Sequence, residues 1–304
     1  MTRNIHLSKG SLLPILIHAL LLVSFTNASH FSIPIQDLDG SLKGQRVRGL
    51  NEVKLYLNRF GYMGSEFAEK HSLQNNSDHF DKNLETAIKE YQKYYKLKVT
   101  GILDSATIKR MNVPRCGAPD NVNGLAPQEA AVKPQYHFFP NKPVWPRSRR
   151  HLSYTFNSSA KGAPMSISRG VFAYAFKKWE EVTKFKFHEA SRGEKADVVI
   201  GFHRGEHGDG RPFDGNGGIL AHSFSPTIGA LHLDADEKFN HRPKIGNNES
   251  DYVWVAMHEI GHILGLTHSS EEKAIMFAYV EDGLTRRALH QDDIMGIHAL
   301  YPHE

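Results

Sequence analysis

The most constraining feature of the sequence is the spacing of three histidines in the segment HEIGHILGLTH, residues 258–268. On a helix, His258 and His262 are four residues apart and share one face, so their imidazoles can reach a single metal ion. Gly265 can end the helix and let the chain turn back, which brings His268 to a third position. Three neutral imidazoles that leave one coordination position open are typical of a catalytic zinc ion, and the segment predicts such a site.

Glu259 follows the first of these histidines and is not itself predicted to bind the metal. A carboxylate at this place can take a proton from a zinc-bound water as that water attacks a carbonyl group, and can then pass the proton to the leaving amine. The alternative is a histidine-containing helix that serves only for packing. A bare HExxH pattern arises by chance, but its extension to HExxHxxGxxH rarely does, so the sequence favours the zinc site.

The extended motif resembles that of the metzincin clan, and within it that of the matrix metalloproteinases, or matrixins. Ser269 after the third histidine agrees with this subgroup, and Met276 in AIMF resembles the Met-turn that packs beneath the zinc. The resemblance implies a zinc-dependent endopeptidase. It also implies an α+β fold, in which a metzincin catalytic domain with a twisted, mostly parallel sheet and three helices follows a small three-helix propeptide bundle.

Cys116 is the only cysteine of the chain, so an internal disulfide is excluded and the thiol requires another explanation. A thiolate is a good ligand for zinc, and Cys116 can therefore take the position of the catalytic water and leave the metal without a nucleophile. The surrounding PRCGAPD resembles the matrixin propeptide signature, with Ala118 where Val or Asn is usual. The resemblance implies that Arg115 pairs with Asp120. We expect a latent precursor; the alternative is an unused buried thiol.

The segments HGDGRPFDGNGGILAHSF and ALHLDADE resemble the matrixin loop that holds a structural zinc and a calcium ion. By motif position, the structural zinc is expected to bind a closed set of nitrogen and oxygen ligands: His207, Asp209, His222 and His232. The calcium is expected to bind three carboxylates and three backbone carbonyls: those of Asp214, Asp234 and Glu237, and those of Gly215, Gly217 and Ile219. The alternative is an acidic surface turn.

Two departures from the matrixin pattern affect what the resemblance implies. The stretch between His222 and His232 is shorter than in typical vertebrate members, so a second calcium site is not expected. The sequence after Met276 runs Phe-Ala-Tyr-Val, where the family usually has Tyr-Pro-x-Tyr. Because this segment forms a wall of the primary specificity pocket, Ala278 and Val280 leave the pocket preference open.

Changes in composition along the chain suggest four parts. Residues 1–28 resemble a secretory signal, with Arg3 and Lys9 before an apolar stretch and small residues near Ala28. The alternative is a membrane anchor, which needs a longer apolar core. Residues 29–120 are predicted to be a helical propeptide, 121–150 an exposed linker, and 151–304 the catalytic domain.

The linker ends in a basic sequence, Arg-Ser-Arg-Arg, which is the spacing that furin-like proteases cleave. A cut after Arg150 by an activating protease is one interpretation, and a solvated basic linker is the other. Secretion would also make three Asn-x-Ser triplets candidate glycosylation sites: Asn75, Asn157 and Asn248.

The formal net charge of +4 is small for 304 residues and no long basic run is present, so nucleic acid is not an expected partner. The segment LKGQRVRGLNEVKLYLNRFGYM resembles the plant matrixin propeptide, and only three residues follow Tyr301. We therefore expect a secreted, apoplastic monomer without a hemopexin domain or membrane anchor, acting on proteins or peptides. Alternatives are a catalytically impaired binding protein on the same scaffold and a metal-dependent amidase for small molecules.

Overall fold

The computed structural model describes residues 31–64, 78–120 and 134–302. The predicted signal segment and the candidate glycosylation site Asn75 lie outside the described residues. Within the described part, no helix is both long and apolar enough to cross a membrane.

The N-terminal part is a small helical unit. After a 3-10 turn at Ile35–Leu38 it contains three described α-helices: α1 (Leu50–Arg59), α2 (Lys82–Tyr94) and α3 (Ser105–Met111). The carboxylates of Asp81 and Asp104 accept hydrogen bonds from backbone N–H groups in the first turns of α2 and α3, so both helices have N-terminal caps. Leu57 of α1 and Ile88 of α2 are fully buried in one apolar cluster. The predicted three-helix bundle is confirmed.

The C-terminal part contains a six-stranded sheet in the order β1-β5-β6-β4-β2-β3. Neighbouring strands are parallel except for β5 and β6, which are antiparallel. The strands are β1 (Arg115–Cys116), β2 (His151–Phe156), β3 (Lys186–Glu189), β4 (Val198–His203), β5 (Ile219–Ser223) and β6 (Ala230–Asp234). A separate two-stranded sheet joins β7 (Phe239–Asn240) and β8 (Ser250–Asp251). The mostly parallel sheet is as predicted.

Three helices accompany this sheet: α4 (Met165–Glu180), α5 (Tyr252–Ile263) and α6 (Gln291–Leu300). The indole of Trp179 in α4 donates a hydrogen bond to the Met257 carbonyl of α5 at 2.9 Å, which joins the two helices inside the core. All twelve residues of α5 are buried, so this helix is the centre of the catalytic domain and holds its side chains in fixed positions.

The structure differs from the predicted exposed linker at Trp145, whose side chain is 1% exposed and belongs to the catalytic core. Its indole donates to the Ile263 carbonyl at 2.8 Å, and its backbone N–H donates to the Tyr301 hydroxyl. Further upstream, the Gln135 N–H donates to the Asp292 carboxylate. The Pro, Asn and Gly content of the segment indicated a loop but not the burial of one large aromatic side chain. The hydrophobic core of the C-terminal part therefore includes a residue that precedes His151.

Candidate active site and metal centres

The predicted zinc ligands come together at the end of α5. His258 and His262 lie one turn apart, and the helix ends at Ile263. Gly265 then adopts a positive φ of 106°, and a Cβ there would lie only 2.6 Å from the Pro143 carbonyl oxygen, so glycine is required for the reversal. The reversal brings His268 back, and the three imidazole centroids are 4.7 to 5.2 Å apart.

The hydrogen bonds of these imidazoles leave one nitrogen of each facing the common centre. The Nδ1 atoms of His258 and His262 lie 2.8 Å from the carbonyl oxygens of Ile275 and Leu266. Nδ1–H groups that donate to these carbonyls leave the Nε2 lone pairs free to bind a metal. Within the described part of the chain, the Nε2 atoms of His258 and His268 are buried without a hydrogen-bond partner, and such atoms fit a zinc ion between the rings.

Burial also keeps the three imidazoles neutral. It lowers the pKa of His258 to about 3, and it lowers the pKa of His262 and of His268 as well. Zinc binds neutral imidazole, so burial prepares the ligands in the protonation state that the metal requires.

Cys116 completes this group. Its sulfur and the three histidine nitrogens all lie within 4.8 Å of one another, and Sγ is 3.4 Å from His262 Nε2. Burial raises the pKa of the thiol well above its usual range, and the nearby Glu259 carboxyl raises it further. A metal ion has the opposite effect because it binds the thiolate. Without a metal ion this burial favours the protonated thiol, and it is the position of the sulfur among the three histidine nitrogens that fits a metal-bound thiolate.

The backbone around Cys116 is bound on both sides of a cleft. Cys116 N–H donates to the Ala278 carbonyl at 2.9 Å, and Val280 N–H donates to the Pro114 carbonyl at 2.9 Å. On the other side, Gly117 N–H donates to the Ala221 carbonyl of β5 at 2.8 Å. The propeptide chain therefore occupies, as an added strand, the place between β5 and residues 278–280.

Asp120 connects the propeptide loop to the histidine cluster. Its Oδ1 accepts hydrogen bonds from Arg115 at 2.5 Å and from His268 Nδ1 at 2.7 Å, and all three side chains are fully buried. Burial opposes ionisation of this carboxyl, but the Arg115 guanidinium and His268 together hold its pKa below the usual range. The structure places Arg115 and Asp120 in the contact that the sequence resemblance implied, and adds a contact to His268 that the sequence did not indicate.

Glu259 lies beside the cluster with a buried carboxyl group. It is 1% exposed, and its Oε2 has no hydrogen-bond partner among the residues that the structure describes. Burial raises its pKa to about 7, close to the ordinary working range of a proton acceptor. A carboxyl group in this state can exchange a proton with a molecule bound between the histidines and β5.

Met276 packs directly under α5. A Cβ at Gly261 would overlap the Met276 sulfur, so the glycine inside HEIGH permits this contact. The Asp293 carboxylate accepts hydrogen bonds from the backbone N–H groups of Ile275 and Met276 at 2.8 and 3.0 Å. The Asp292 carboxylate accepts from the Ser269 hydroxyl at 2.7 Å. Neither aspartate was predicted from the sequence, where their only signal is an acidic pair at the start of a helix.

A second group of ligands lies between β5, β6 and the preceding loop: His207, Asp209, His222 and His232. A nitrogen of each histidine points at the same Asp209 oxygen, with distances of 2.7 to 3.0 Å. Burial lowers the pKa of His222 to about 3 and also lowers that of His232. Three imidazoles and one carboxylate, with ligand atoms within 4.8 Å of one another, fit a closed zinc site.

The three predicted calcium carboxylates lie around the glycine-rich loop next to this group. Asp234 accepts a hydrogen bond from Gly215 N–H at 3.0 Å, and Glu237 accepts one from Gly217 N–H at 2.7 Å. Asp214 accepts from Ile219 N–H at 2.7 Å. Burial raises the pKa of Asp234 to about 6 and of Glu237 to about 8, and the neighbouring carboxylates add to both shifts. Buried carboxyl groups this close together must either keep their protons or bind a cation.

The remaining predicted sites are on the surface or near it. Asn157 and Asn248 are exposed. Arg150 is not free: its guanidinium lies between the rings of Phe185 and Tyr301, at 4.8 and 4.9 Å, and donates to the Trp145 carbonyl. Its own carbonyl accepts a hydrogen bond from Lys186 N–H at 2.7 Å. A protease would have to break these contacts to cut after Arg150.

Comparison with known proteins identifies the family. The family profile described as Matrixin matches residues 144–302, and a profile described as Putative peptidoglycan binding domain matches residues 48–111. The chain belongs to the matrixin family. As a matrixin with a propeptide domain, it is a zinc metalloendopeptidase. The profile begins at residue 144, which agrees with the burial of Trp145 in the catalytic unit.

Curated relatives support the same assignment. Metalloendoproteinase 5-MMP of Arabidopsis thaliana is 43% identical over 87% of this chain and 74% of its own length. Metalloendoproteinase 1 of Glycine max is 38% identical over 85% of this chain and 83% of its own length. Matrilysin of Homo sapiens is 34% identical over 84% of this chain and 89% of its own length. The predicted resemblance to plant matrixins is confirmed.

Proposed function

We propose that this matrixin is made as a secreted, latent precursor in which Cys116 blocks a catalytic zinc ion held by His258, His262 and His268. The observation that carries this proposal is the convergence of the thiol and three imidazole nitrogens within 4.8 Å. Secretion rests on the signal-like residues 1–28, and extracellular proteins or peptides are the expected substrates. Of the three Asn-x-Ser triplets, Asn157 and Asn248 have the exposure that a glycan requires.

The mechanism follows from the placement of the side chains. Zinc held by His258, His262 and His268 would supply Lewis-acid chemistry, activating a water molecule and polarising the substrate carbonyl. Glu259 is placed to take a proton from the attacking water and to return it to the leaving amine. The carbonyls of Ile275 and Leu266 keep the His258 and His262 rings in the orientation required for binding, and Met276 supports α5 from below.

Latency follows from the same geometry. A zinc ion among the three histidine nitrogens and the Cys116 sulfur would have its fourth coordination position filled, which would exclude the attacking water. The propeptide strand also fills the cleft between β5 and residues 278–280 through backbone hydrogen bonds that an extended substrate would otherwise form. Removal of the propeptide would free the fourth coordination position of the zinc and would open the cleft.

The metal ions outside the active site have structural roles in this proposal. His207, Asp209, His222 and His232 bind the second zinc. Asp214, Asp234 and Glu237, with carbonyls of the glycine-rich loop, bind calcium, which satisfies carboxylates that burial otherwise disfavours.

A cut after Arg150 would separate Trp145 from the core, so we place activation upstream of Gln135, which leaves the buried segment attached.

A protein-substrate gel assay tests the function. The activated wild type should degrade denatured protein, and a strong zinc chelator should abolish the degradation. Glu259→Gln keeps the size of the side chain but removes the base, and should lose activity while still binding zinc. If this variant were as active as the wild type, the mechanism would be wrong. Zinc binding by an inactive wild type would instead favour the alternative of a binding protein on this scaffold.

A further inference from the structure

The cleft wall at residues 277–279 belongs to the apolar cluster of the propeptide rather than to the catalytic core. Phe277 and Tyr279 are 4% and 1% exposed, and both are members of the cluster formed by the propeptide helices. The Tyr279 hydroxyl is hydrogen bonded to the hydroxyls of Tyr56 and Tyr91, at 2.9 and 2.5 Å. Both partners are propeptide residues, so loss of the propeptide uncovers the two aromatic rings.

Two propeptide arginines lie against these rings. The Arg110 guanidinium is 5.4 Å from the ring centroids of both Phe277 and Tyr279. The Arg115 guanidinium is 4.9 Å from the Tyr279 centroid and donates to the Tyr279 hydroxyl at 3.3 Å. These distances are within the range of favourable cation–π contacts, about 6 Å.

The catalytic domain also supplies a carboxylate to the same place. Glu272 accepts a hydrogen bond from Arg110 at 2.7 Å, and its side chain is 57% exposed. Two aromatic faces and one carboxylate together match the planar, delocalised guanidinium group of an arginine side chain. The propeptide therefore shows how a basic group binds beside the cleft.

The pairing of the propeptide strand with Tyr279 shows how close these aromatic rings lie to the position of the scissile bond. Arg115 pairs directly with Tyr279 in an antiparallel bridge, and the next residue, Cys116, presents its sulfur to the histidine cluster. Side chains of an extended chain alternate between its two faces. A substrate in this cleft can therefore place one side chain against Tyr279 while its scissile peptide bond lies close by, at the histidine cluster.

On the basis of the proposed endopeptidase function, we propose that Glu272, Phe277 and Tyr279 form a subsite that binds an arginine side chain of the substrate near the scissile bond. In the precursor, Arg110 fills this subsite, and Arg115 contacts its Tyr279 side chain. After activation it becomes available to substrate, and it favours basic peptides over neutral ones of the same shape.

Paired peptides test this subsite. Each pair carries arginine or its neutral isostere citrulline at one of the three positions on either side of the cleaved bond. With enzyme activated from the full-length precursor, we expect kcat/KM to favour arginine at one of these positions by about 3- to 30-fold, the range between an exposed and a desolvated cation–π contact. Ratios within two-fold of one at every position would overturn the subsite.

Variants assign the effect to the named residues. Tyr279→Leu and Glu272→Gln should each reduce the arginine-to-citrulline ratio at least two-fold. Glu271→Gln is the matched control, because the neighbouring Glu271 carboxylate accepts a local hydrogen bond from Lys273 N–H, and it should keep the ratio. A ratio that falls equally in the control and in Glu272→Gln would contradict a specific role for Glu272.

Direct binding separates this subsite from the catalytic proposal. Activated Glu259→Gln protein should bind the arginine peptide more tightly than the citrulline peptide, by fluorescence anisotropy. Arginine-dependent binding without cleavage by the wild type would support the subsite and contradict the proposed function. Cleavage of both peptides at equal rates, with equal binding, would support the proposed function and contradict the subsite.

Discussion

Asp120 of the propeptide lies 2.7 Å from His268 Nδ1, so the carboxylate that braces the switch loop also contacts the third predicted zinc ligand. The same oxygen accepts a hydrogen bond from Arg115. A carboxylate behind a metal-binding histidine fixes the orientation of the ring and its protonated nitrogen. The propeptide therefore acts on the histidine cluster from two directions, through the Cys116 sulfur and through Asp120.

Asp120→Asn should weaken the latent state. The amide has nearly the same size, but it leaves the fully buried Arg115 without a charged partner, and breaking such a pair costs about 3–5 kcal/mol. We expect the Cys116 thiol of the zinc-loaded precursor to react faster with a thiol reagent than in the wild type. Asp78→Asn, which changes another propeptide carboxylate that accepts backbone hydrogen bonds, is the control. Equal labelling rates in Asp120→Asn and the wild type would contradict the role of Asp120.

Cys116→Ser should raise the activity of the uncleaved precursor. A serine hydroxyl is a poorer zinc ligand than a thiolate, so water can reach the fourth coordination position of the zinc while the propeptide stays attached. The measurement is the cleavage rate of a fluorogenic peptide by the intact precursor, with its length verified after the assay. The double variant Cys116→Ser/Glu259→Gln controls for contaminating proteases and should be inactive. A silent Cys116→Ser precursor would count against the thiol switch.

Calcium should change how stability depends on pH. In the calcium-free protein, burial holds the pKa of Glu237 at about 8, so the folded form keeps a proton that the unfolded chain has already released. This contribution favours the folded state at low pH and is lost as the pH rises through about 8. We expect Tm in excess chelator to fall between pH 6 and pH 9, and excess calcium to raise Tm most at the high end.

Glu237→Gln should remove most of the calcium effect, because the neutral amide cannot supply the negative charge that calcium requires. Glu249→Gln changes a more exposed carboxylate that bonds to Gly246 N–H and Asn240, and is the control. If calcium stabilised both variants to the same extent, the ion would bind elsewhere.

Trp145→Ala should destabilise the catalytic domain. Removing a buried tryptophan costs about 3–5 kcal/mol, and here the indole also loses its hydrogen bond to the Ile263 carbonyl. A chain that begins at His151 should for the same reason be far less stable than one that begins at Gln135. Thermal unfolding of the two chains measures this difference. Equal Tm values would restore Arg150 as an acceptable activation site.

The sequence predicted which histidines lie close together because short spacings along the chain determine their positions. His258, His262 and Gly265 are close in the chain, and helix geometry determines where they point. The fold and the family were predicted from resemblance, and the family was confirmed by similarity across most of the chain. The two ligand groups also came together as expected.

What the sequence did not indicate depends on contacts between distant segments. Asp120 meets His268 across 148 positions, and Tyr279 meets Tyr56 across 223. Neither pair has a local periodicity or a spacing rule that would reveal it. Trp145 lies in a loop-like segment whose composition gives no sign of the core into which it packs. Such contacts require the tertiary structure.

X-ray absorption spectroscopy of the zinc-loaded precursor tests the central claim most directly. If Cys116 binds the catalytic zinc, the wild-type spectrum should contain a sulfur shell at about 2.3 Å beside nitrogen and oxygen at about 2.0–2.2 Å. Cys116→Ser should lose the sulfur shell and keep its zinc. A wild-type precursor with two bound zinc ions and only nitrogen and oxygen ligands would contradict the thiol switch.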